Sequence, residues 1–539
     1  MVRSERAAPE PAVRRASATS ESQPGAGDVR PWRIAVALGI GLLCALAGRG
    51  LPFADGTPVW PACALLFVTA TTTSCWLLHA MPIAAASLLP LALLPLLGVA
   101  STETLTRGYG HPILWLFGGG FVLAQAIERA GLHRRFALRV VGALGPRPRR
   151  LVTAFFLAAA GVSMWISNTA VALLLLPIGK VLVERVAATG DLAPKAQANF
   201  GAGVMCAIAF GSSIGGLGSP IGTAPNALFF AAQQPLVAAG ADPVSFLTWV
   251  LAFAPCAFVL AAAASFVVAR VALPLPGHRL GRGDELLRQA RELPRWSTAE
   301  RRTAWLFVAA VLLWTTRGDL QLQHGVVHGW AHYLVPDGAR DSFVADGTVA
   351  VLVAIVAFLI PTGAADGSRL VDWETARQMP FDLLLLLGGG IAMASAFGPT
   401  GLSAAFGELL RPLVGAVHPM LLLLVLIASI TLLSEVASNT AVATLLLPIL
   451  RDAGTAVRID PMALMVPAVI AASCGFMLPI ATPPNTIVFA SRQISFGQMA
   501  RAGACVDVLA ALLLVPLLWW WALPMLGVDL GALGGGGGR

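Results

Sequence analysis

Long apolar runs alternate with short polar segments along almost the whole chain. The first runs cover residues from about 34 to 52, 58 to 78 and 80 to 100, and the last covers about 503 to 526. Runs of about 20 apolar residues can cross a bilayer as helices. They are continuous, whereas a transmembrane β-barrel needs short segments that alternate between apolar and polar residues. The pattern therefore predicts an all-α polytopic membrane protein.

A polar phrase occurs twice inside these apolar runs. From Ser167 the chain reads SNTAVALLLLPI, and from Ser438 it reads SNTAVATLLLPI, so eleven of twelve positions agree. Each copy has another serine four residues upstream, Ser163 or Ser434. Polar groups without partners are costly in hydrocarbon. Two copies about half a chain apart indicate internal repeats with a polar site between them.

The same local signals surround each copy in the same order. A triple glycine and then a Gly-Leu pair precede each polar phrase, and a Pro/Gly-containing TxPN-type segment follows it. Proline and glycine interrupt helical hydrogen bonding and leave backbone groups free. Each repeat is therefore predicted to contain a hairpin and a broken helix. The triple glycines are 118–120 and 388–390, the Gly-Leu pairs are 131–132 and 401–402, and the breaks are IGTAPN at 221–226 and IATPPN at 480–485.

Loop charges predict that the two repeats are inverted. Residues 132–197, around the first polar phrase, contain nine basic residues, whereas the matching segment 402–460 contains three. By the positive-inside rule the first set faces the cytoplasm and the second faces outside, so each hairpin is re-entrant from one side. The basic residues are Arg134, Arg135, Arg139, Arg147, Arg149, Arg150, Lys180, Arg185 and Lys195 in the first segment and Arg411, Arg451 and Arg458 in the second.

These signals divide the chain into six segments. An inside N-terminus and an outside C-terminus imply an odd number of spans, about eleven. A secretory signal is the competing interpretation of the N-terminus, but many more spans follow it. The segments are a disordered cytoplasmic tail at 1–31, scaffold helices at 32–110, repeat one at 111–274, a cytoplasmic linker at 275–302, repeat two at 303–527 and a Gly-rich tail at 528–539.

Composition narrows the class of protein further. Hydrophobic residues make up 57% of the chain and charged residues 12%, against roughly 25% charged residues in soluble proteins. The net charge of +8 comes from arginines between apolar runs, so it indicates orientation in a membrane and not nucleic-acid binding. The seven cysteines stand singly, so neither a disulfide framework nor a zinc site is indicated.

The segments that would meet at the centre contain no charged side chain. These are residues 151–179, 196–241 and 461–491. Half-helix N-termini attract anionic oxygens, and Ser, Asn and free carbonyl oxygens coordinate Na⁺. An anion held without Lys or Arg needs positive charge from co-bound cations, so a cation-coupled anion carrier is favoured. In the alternative, the polar residues only join helices. The duplication and the paired breaks count against that alternative.

Glu435, beside Ser434, is the only ionisable residue close to either polar phrase in the sequence. Met164 stands at the matching position of repeat one, so Glu435 is not part of the symmetric core. An intramembrane carboxylate is a functional candidate. Burial in a protonated state, or satisfaction by backbone groups, is an equally good interpretation.

The histidines His324, His328 and His332 have a spacing that would align them on a helix as metal ligands. Gly325 and Gly329 weaken such a helix. An exposed polar loop is the simpler interpretation.

Together these motifs resemble the divalent anion–sodium symporter (DASS) family. The resemblance covers most of residues 35–527 and includes the stretch VDWE at 371–374 with MPF at 379–381. It implies a homodimer in a cell membrane, the bacterial inner membrane, in which each protomer has a scaffold domain and a transport domain. It further implies elevator-type, Na⁺-driven uptake of di- or tricarboxylates such as succinate, malate or citrate, or of sulfate, with two or more Na⁺ ions.

The resemblance also implies roles for individual residues. Ala224 departs from the proline of the second break, and Ser434 stands where a threonine is frequent. One Na⁺ site would use Ser163, Ser167, Asn168 and Gly222, and the other Ser434, Ala437, Asn439 and Ala481. The substrate would meet Ser167, Asn168, Thr169 and Thr223 from one half and Ser438, Asn439, Thr440, Thr482 and Pro483 from the other.

An intramembrane enzyme, a passive anion channel and a Na⁺-independent exchanger are the alternative functions. An intramembrane enzyme would need a Ser/His pair, an aspartate pair or a metal cluster at membrane depth, and no histidine lies in the motif segments. A passive anion channel would use the same polar lining but would not need two matched cation sites. Some members of the resembled family are Na⁺-independent exchangers, and the motifs alone do not decide this point.

Overall fold

The computed structural model describes residues 31–530 except 55, 79, 282–292, 319, 323–324, 335–342, 411–417 and 529. Within them the chain is helical apart from one short two-stranded hairpin. In the described part of the chain, seven helices are at least 18 residues long and apolar enough to cross a membrane, and four shorter apolar helices accompany them. The count of about eleven spans stays a prediction, as do the segment boundaries. The N-terminal tail and most of the Gly-rich tail lie outside the described residues.

The N-terminal helices run up to the first repeat. The third predicted span, at about 80 to 100, is divided into two helices because Pro90 at the start of the second cannot donate a backbone hydrogen bond to the first. The helices are α1 (Pro31–Gly48), α2 (Val59–Leu77), α3 (Ile83–Ala86), α4 (Leu89–Leu96) and α5 (Thr102–Tyr109).

Repeat one begins with the helix that carries the first triple glycine. Two non-helical segments, 164–167 and 217–223, contain the starts of its polar motifs, and the rest of each motif forms the first turn of the next helix. The helices are α6 (Pro112–Ala130), α7 (Leu132–Ala143), α8 (Pro148–Ser163), α9 (Asn168–Thr189), α10 (Pro194–Gly216), α11 (Ala224–Ala232), α12 (Gln234–Ala238) and α13 (Phe246–Val267). A π-helical turn, Val268–Ala272, continues α13.

A further group of elements follows the predicted linker and precedes the triple glycine of repeat two. It contains α14 (Thr298–Thr315), β1 (Leu320–Leu322), β2 (Gly325–Val327), a 3₁₀ turn at Trp330–Tyr333, α15 (Asp346–Leu359) and α16 (Trp373–Ala376). β1 and β2 pair antiparallel. The described part of the histidine-containing segment is therefore not one helix, because His328 follows β2 and His332 lies in the 3₁₀ turn. His324 lies outside the described residues, and the rings of His328 and His332 stack with centroids 3.7 Å apart.

Repeat two follows the plan of repeat one. Its helices are α17 (Phe381–Phe397), α18 (Leu402–Leu410), α19 (Pro419–Val436), α20 (Asn439–Ala456), α21 (Met462–Ala471), α22 (Pro483–Ala490), α23 (Phe496–Leu517) and α24 (Leu523–Met525). A π-helical turn, Leu518–Ala522, continues α23 as its counterpart continues α13. α13 and α23 have the same length of 22 residues, and a serine caps each of them, Ser245 or Ser495.

Glycines allow the turns between some helices and the close packing of others. Gly131 and Gly401 have φ values of 73° and 76°, in the left-handed region, and a short helix begins directly after each of them. A Cβ on Gly119 would overlap the backbone of Ala350 in α15, and a Cβ on Gly390 would come within 2.6 Å of Thr444 Cγ2 in α20. The triple glycines thus let α6 and α17 pack closely on neighbouring helices.

The two repeats pack against each other next to their breaks. The second arm of each hairpin packs on the short helix that follows the break of the other repeat, α9 on α22 and α20 on α11. Each hairpin also packs on the long helix that precedes its own break, α8 and α9 on α10 and α19 and α20 on α21. The polar motifs are therefore held in one continuous core and not in two separate halves.

Candidate functional site

The first polar phrase forms the turn of a helical hairpin. α8 ends at Ser163 and α9 begins at Asn168. Ser167 is the N-cap of α9, and its Oγ accepts a hydrogen bond from Ala170 N at 3.3 Å. Serine is favoured there because its side chain satisfies an N–H group that has no partner in the helix. The sequence SNT is thus the start of a helix whose first two amides, those of Asn168 and Thr169, have no intrahelical partner.

Asn168 is the centre of an oxygen cluster below this turn. Its side-chain amide faces Ser163 Oγ at 2.7 Å, the Ser212 carbonyl at 3.1 Å and the Gly222 carbonyl at 3.3 Å. If the NH₂ group faces these atoms, it donates hydrogen bonds to the carbonyls. If the amide oxygen faces them, four oxygens converge, which is the ligand type that Na⁺ takes from proteins. The structure thus brings together three of the four predicted ligands and adds Ser212.

The first break is fastened from two sides. Asn226 Nδ2 donates to the carbonyls of Gly216 at 2.9 Å and Ser219 at 2.7 Å. The Ser219 hydroxyl donates to the Met164 carbonyl in the hairpin turn. Thr223 is the half-buried N-cap of α11, although its side chain makes no capping bond. These hydrogen bonds therefore fix the residues that interrupt the helix. They also set the positions of the backbone groups that have no partner within a helix.

The second polar phrase repeats the serine–asparagine contact of the first, although the Ser438 side chain makes no capping bond. Ser434 Oγ lies 2.7 Å from Asn439 Oδ1 and 2.6 Å from the Ala472 carbonyl. A hydroxyl has one hydrogen, so it donates to only one of these two oxygens. With the amide oxygen of Asn439 facing Ser434, the other contact joins two acceptors. A cation fits such a set of oxygens, and Ala472 is a contributor that the sequence did not reveal.

The second break is fastened differently. Asn485 Nδ2 donates to the Leu478 carbonyl at 3.0 Å, as Asn226 does in repeat one. The Glu435 carboxylate accepts the N–H groups of Met477 and Leu478, each at 2.8 Å. Both Glu435 oxygens therefore have a backbone donor, as one of the interpretations expects, and its role stays a prediction. Thr482 caps α22 by accepting Asn485 N at 3.3 Å.

The predicted residues differ in exposure in the same way in both repeats. The capping serines face open space and the next two residues are half-buried, whereas the residues beneath are buried. Ser167, Ser438 and Pro483 are exposed, Asn168, Thr169, Asn439 and Thr440 are half-buried, and Ser163, Gly222, Ser434, Ala437, Ala481 and Thr482 are buried. Hydroxyls and first-turn amides thus form an accessible rim above two buried oxygen clusters.

Three assignments stay predictions. The Ser167 side chain caps α9, and its part in the first oxygen cluster is an expectation only. Likewise, Ala437 is buried at the turn and Ala481 in the second break, but the roles of their carbonyls in the second cluster are expectations.

One residue close to the site was missed. Asp507, on α23, is 8% exposed and lies against the Glu435 carboxylate. It stands more than 60 residues after the second polar phrase, so spacing could not associate the two. The signal available in the sequence was an aspartate in the middle of an apolar run, which is rare unless it is functional.

Comparisons with known proteins agree with this architecture. A family model described as "Sodium:sulfate symporter transmembrane region" matches residues 32–527. Proteins named sodium-dependent dicarboxylate transporter SdcS are similar along most of the chain. The Staphylococcus saprophyticus protein is 36% identical over 470 residues, which is 86% of this chain and 87% of the relative. The Staphylococcus aureus protein is 35% identical over 479 residues, covering 87% and 88%.

Solved structures share the fold at low sequence identity. The YdaH transporter of Alcanivorax borkumensis superposes with a TM-score of 0.53 at 14% identity, covering 92% of this chain and 96% of that one. MtrF of Neisseria gonorrhoeae superposes with a TM-score of 0.52 at 13% identity, covering 90% and 94%. These likenesses concern the fold alone.

Proposed function

Because the chain belongs to the sodium:sulfate symporter family, whose members are membrane transporters and not enzymes, we propose that it couples Na⁺ entry to the uptake of a small dianion. The proposed substrate class is the C4-dicarboxylates, such as succinate or malate. The observation that carries the proposal is the pair of oxygen clusters beneath two exposed half-helix starts. Each cluster contains a serine hydroxyl, an asparagine amide and a backbone carbonyl.

Sodium is the cation that these clusters would take as a co-transported substrate. They consist of neutral oxygens, which suit an alkali cation. In repeat one the cluster comprises Ser163, Asn168, Ser212 and Gly222, and in repeat two it comprises Ser434, Asn439 and Ala472. Each cluster takes oxygens from a hairpin and from a residue in or next to a break. A bound Na⁺ ion would therefore hold the hairpin and the break together.

The anion would lie across the rim, between the four half-helix starts. The N-caps are Ser167, Thr223, Ser438 and Thr482. At α22 Pro483 and Pro484 have no N–H group and Thr482 caps Asn485 N, whereas first-turn amides without intrahelical partners are available at the starts of α9 and α20. Such amides carry partial positive charge and bind carboxylate oxygens. Two bound Na⁺ ions would supply the remaining charge that neutral side chains lack.

We further propose alternating access by an elevator-type movement of a transport domain against a scaffold, in a homodimer. The inverted loop charges support this movement. The short helices α7 and α18 each begin directly after a left-handed glycine, which makes these two helices candidate arms between the transport domain and the scaffold. The N-terminus would be cytoplasmic and the C-terminus external, in a bacterial inner membrane.

Uptake into proteoliposomes tests the proposal. [¹⁴C]Succinate should accumulate above equilibrium with an inward Na⁺ gradient and only equilibrate with K⁺. Malate, citrate and sulfate are then added as competitors, and a dicarboxylate preference predicts that malate competes best. Uptake that needs internal succinate and ignores Na⁺ would instead identify an exchanger. Competition by sulfate alone would identify a different dianion as the substrate.

A further inference from the structure

Glu435 is hydrogen-bonded to the backbone of the second break. It is 2% exposed, and both of its oxygens accept backbone N–H groups, from Met477 and Leu478. Two charge-assisted hydrogen bonds of 2.8 Å stabilise an ionised carboxylate. Its negative charge is thus partly balanced by the break itself.

Asp507 lacks the backbone hydrogen bonds that Glu435 has. It is 8% exposed, and within the described part of the chain neither of its oxygens has a hydrogen-bond partner. The groups that face it are the Glu435 carboxylate, the Phe476 N–H and the Cys474 thiol. No ion pair among the described residues includes either carboxylate. A buried acceptor without a donor or a counter-charge is costly.

Thr431 supplies a third oxygen on the same side of α19. It lies one helical turn before Glu435, is 3% exposed, and its Oγ1 also lacks a hydrogen-bond partner. α19 packs directly on α23, which carries Asp507. Buried oxygens of Asp507 and Thr431 that have no hydrogen-bond partner among the described residues, beside the Glu435 carboxylate, point to a cation as the missing partner.

Repeat one has no equivalent of this cluster. Met164 replaces Glu435, and it packs on Gly218, whose added Cβ would lie 3.0 Å from Met164 Cγ. α8 and α13, the counterparts of α19 and α23, contain no acidic residue. The cluster is therefore separate from the two symmetric oxygen clusters.

We propose that Glu435 and Asp507 form a third cation site, which takes one Na⁺ ion and exists only in repeat two. The proposal rests on the Na⁺ coupling proposed above. The ion is the missing partner of the two Asp507 oxygens, whose ionised form it stabilises, and it uses the remaining lone pairs of Glu435. An alkali cation suits the site because carboxylate and hydroxyl oxygens are hard ligands.

The site is connected to the substrate rim through the backbone. Glu435 holds Met477 and Leu478, and Asn485 holds the Leu478 carbonyl, so this segment determines where Ala481 and Thr482 lie. Gly503 of α23 packs so closely that a Cβ would overlap Phe476 and Met477. Filling the site therefore orders the break, and the ion acts together with the anion.

The variant Asp507→Asn tests the site with little change of shape. Parallel uptake of ²²Na⁺ and [¹⁴C]succinate into proteoliposomes gives the number of ions moved per succinate. We expect this ratio to fall by one, with a less steep Na⁺ dependence. Glu128→Gln, which removes a half-buried carboxylate from α6, away from α19 and α23, is the matched control and should keep the wild-type ratio.

A second readout needs no transport. Na⁺-dependent thermal stabilisation of the purified protein without substrate should require severalfold more Na⁺ in Asp507→Asn and in Thr431→Val than in Glu128→Gln. An unchanged flux ratio together with an unchanged Na⁺ titration overturns the third site. So does a ratio that stays constant while Asp507→Asn abolishes a pH dependence, because the cation would then be a proton. Wild-type protein that does not couple Na⁺ to succinate would contradict the proposed function, not this site.

Discussion

Ser434 Oγ lies 2.7 Å from Asn439 Oδ1, across the turn that joins the two arms of the second hairpin. Ser163 and Asn168 repeat the relationship at the same distance in the first hairpin. The asparagine begins the second arm in both cases, and the serine lies in the last turn of the first arm, as the final residue of α8 or two residues before the end of α19. The same pair of side chains therefore closes each hairpin and supplies two of the oxygens of each cluster.

Replacing either asparagine should abolish coupled uptake without unfolding the protein. Asn168→Ala and Asn439→Ala each remove an oxygen ligand next to the rim, while the hairpin arms keep their packing on α10 and α21. Succinate uptake should fall at least 100-fold, which corresponds to about 2.7 kcal/mol. Uptake and elution as a monodisperse species are measured together. Asn199→Ala, which only loses a hydrogen bond to the Pro274 carbonyl, is the control. Near-normal uptake in either variant would mean that the sites are misplaced.

Ser434 should be replaceable by threonine but not by alanine. Threonine keeps the hydroxyl that contacts Asn439 and Ala472. Alanine removes a cation ligand, and a loss of about 1.4 kcal/mol would raise the Na⁺ concentration for half-maximal uptake about tenfold. The Na⁺ dependence of succinate uptake in the two variants checks this. Equal Na⁺ dependence would contradict a ligand role for the hydroxyl.

The asparagines of the breaks should contribute to stability unequally. Asn226 donates two hydrogen bonds to buried carbonyls, whereas Asn485 donates one through its side chain. An orphaned buried acceptor costs about 1–3 kcal/mol, so Asn226→Ala should lower the unfolding temperature more than Asn485→Ala. Thermal unfolding of the purified variants gives the comparison. The reverse order would show that Asn485 has a second role.

A buried ion pair fastens α7 to the start of α14. Arg135 contacts both oxygens of Glu300, at 2.7 and 2.9 Å, and donates to the Pro294 carbonyl at 2.8 Å. The two side chains are 6% and 11% exposed. Removing one partner should cost about 3–5 kcal/mol, so Glu300→Ala should lower the unfolding temperature markedly. Glu374→Ala breaks an exposed pair with Arg377 and should cost about 0–1 kcal/mol. Equal effects would contradict the structural role of Arg135.

Stability should fall at low pH through Asp372, which caps α16 outside the predicted spans. Hydrogen bonds from Thr375, and then from Arg129, lower the pKa of Asp372 to about 2. The unfolded carboxyl titrates near pH 4. Its contribution is therefore complete above about pH 5 and is lost as the pH falls from about 4 to about 2. Thermal unfolding measured from pH 7 to pH 3 should decline less steeply in Asp372→Asn. An identical decline would assign the acid sensitivity to other groups.

Much of the site could be predicted because its chemistry is local. The duplication, the hairpin turns at Ser167 and Ser438 and the breaks at Gly222 and Ala481 depend on short-range capping and on proline, which act within a few residues. The structure accordingly begins α9 and α20 directly after the two serines. It also begins α11 and α22 directly after the two threonines of the breaks.

The sequence by itself determined an internally duplicated membrane transporter with two polar motifs per repeat, since apolar runs, caps and helix breakers are properties of neighbouring residues. Only the tertiary structure decided which distant groups complete the motifs. The contact of the Ser212 carbonyl with Asn168 depends on how α10 packs on α9. The Ala472 carbonyl, the hydrogen bonds of Glu435 to Met477 and Leu478, and the approach of Asp507 depend on how α19, α21 and α23 pack. Backbone carbonyls have no sequence signature, and a contact between helices far apart in the chain leaves none in the spacing of a single sequence.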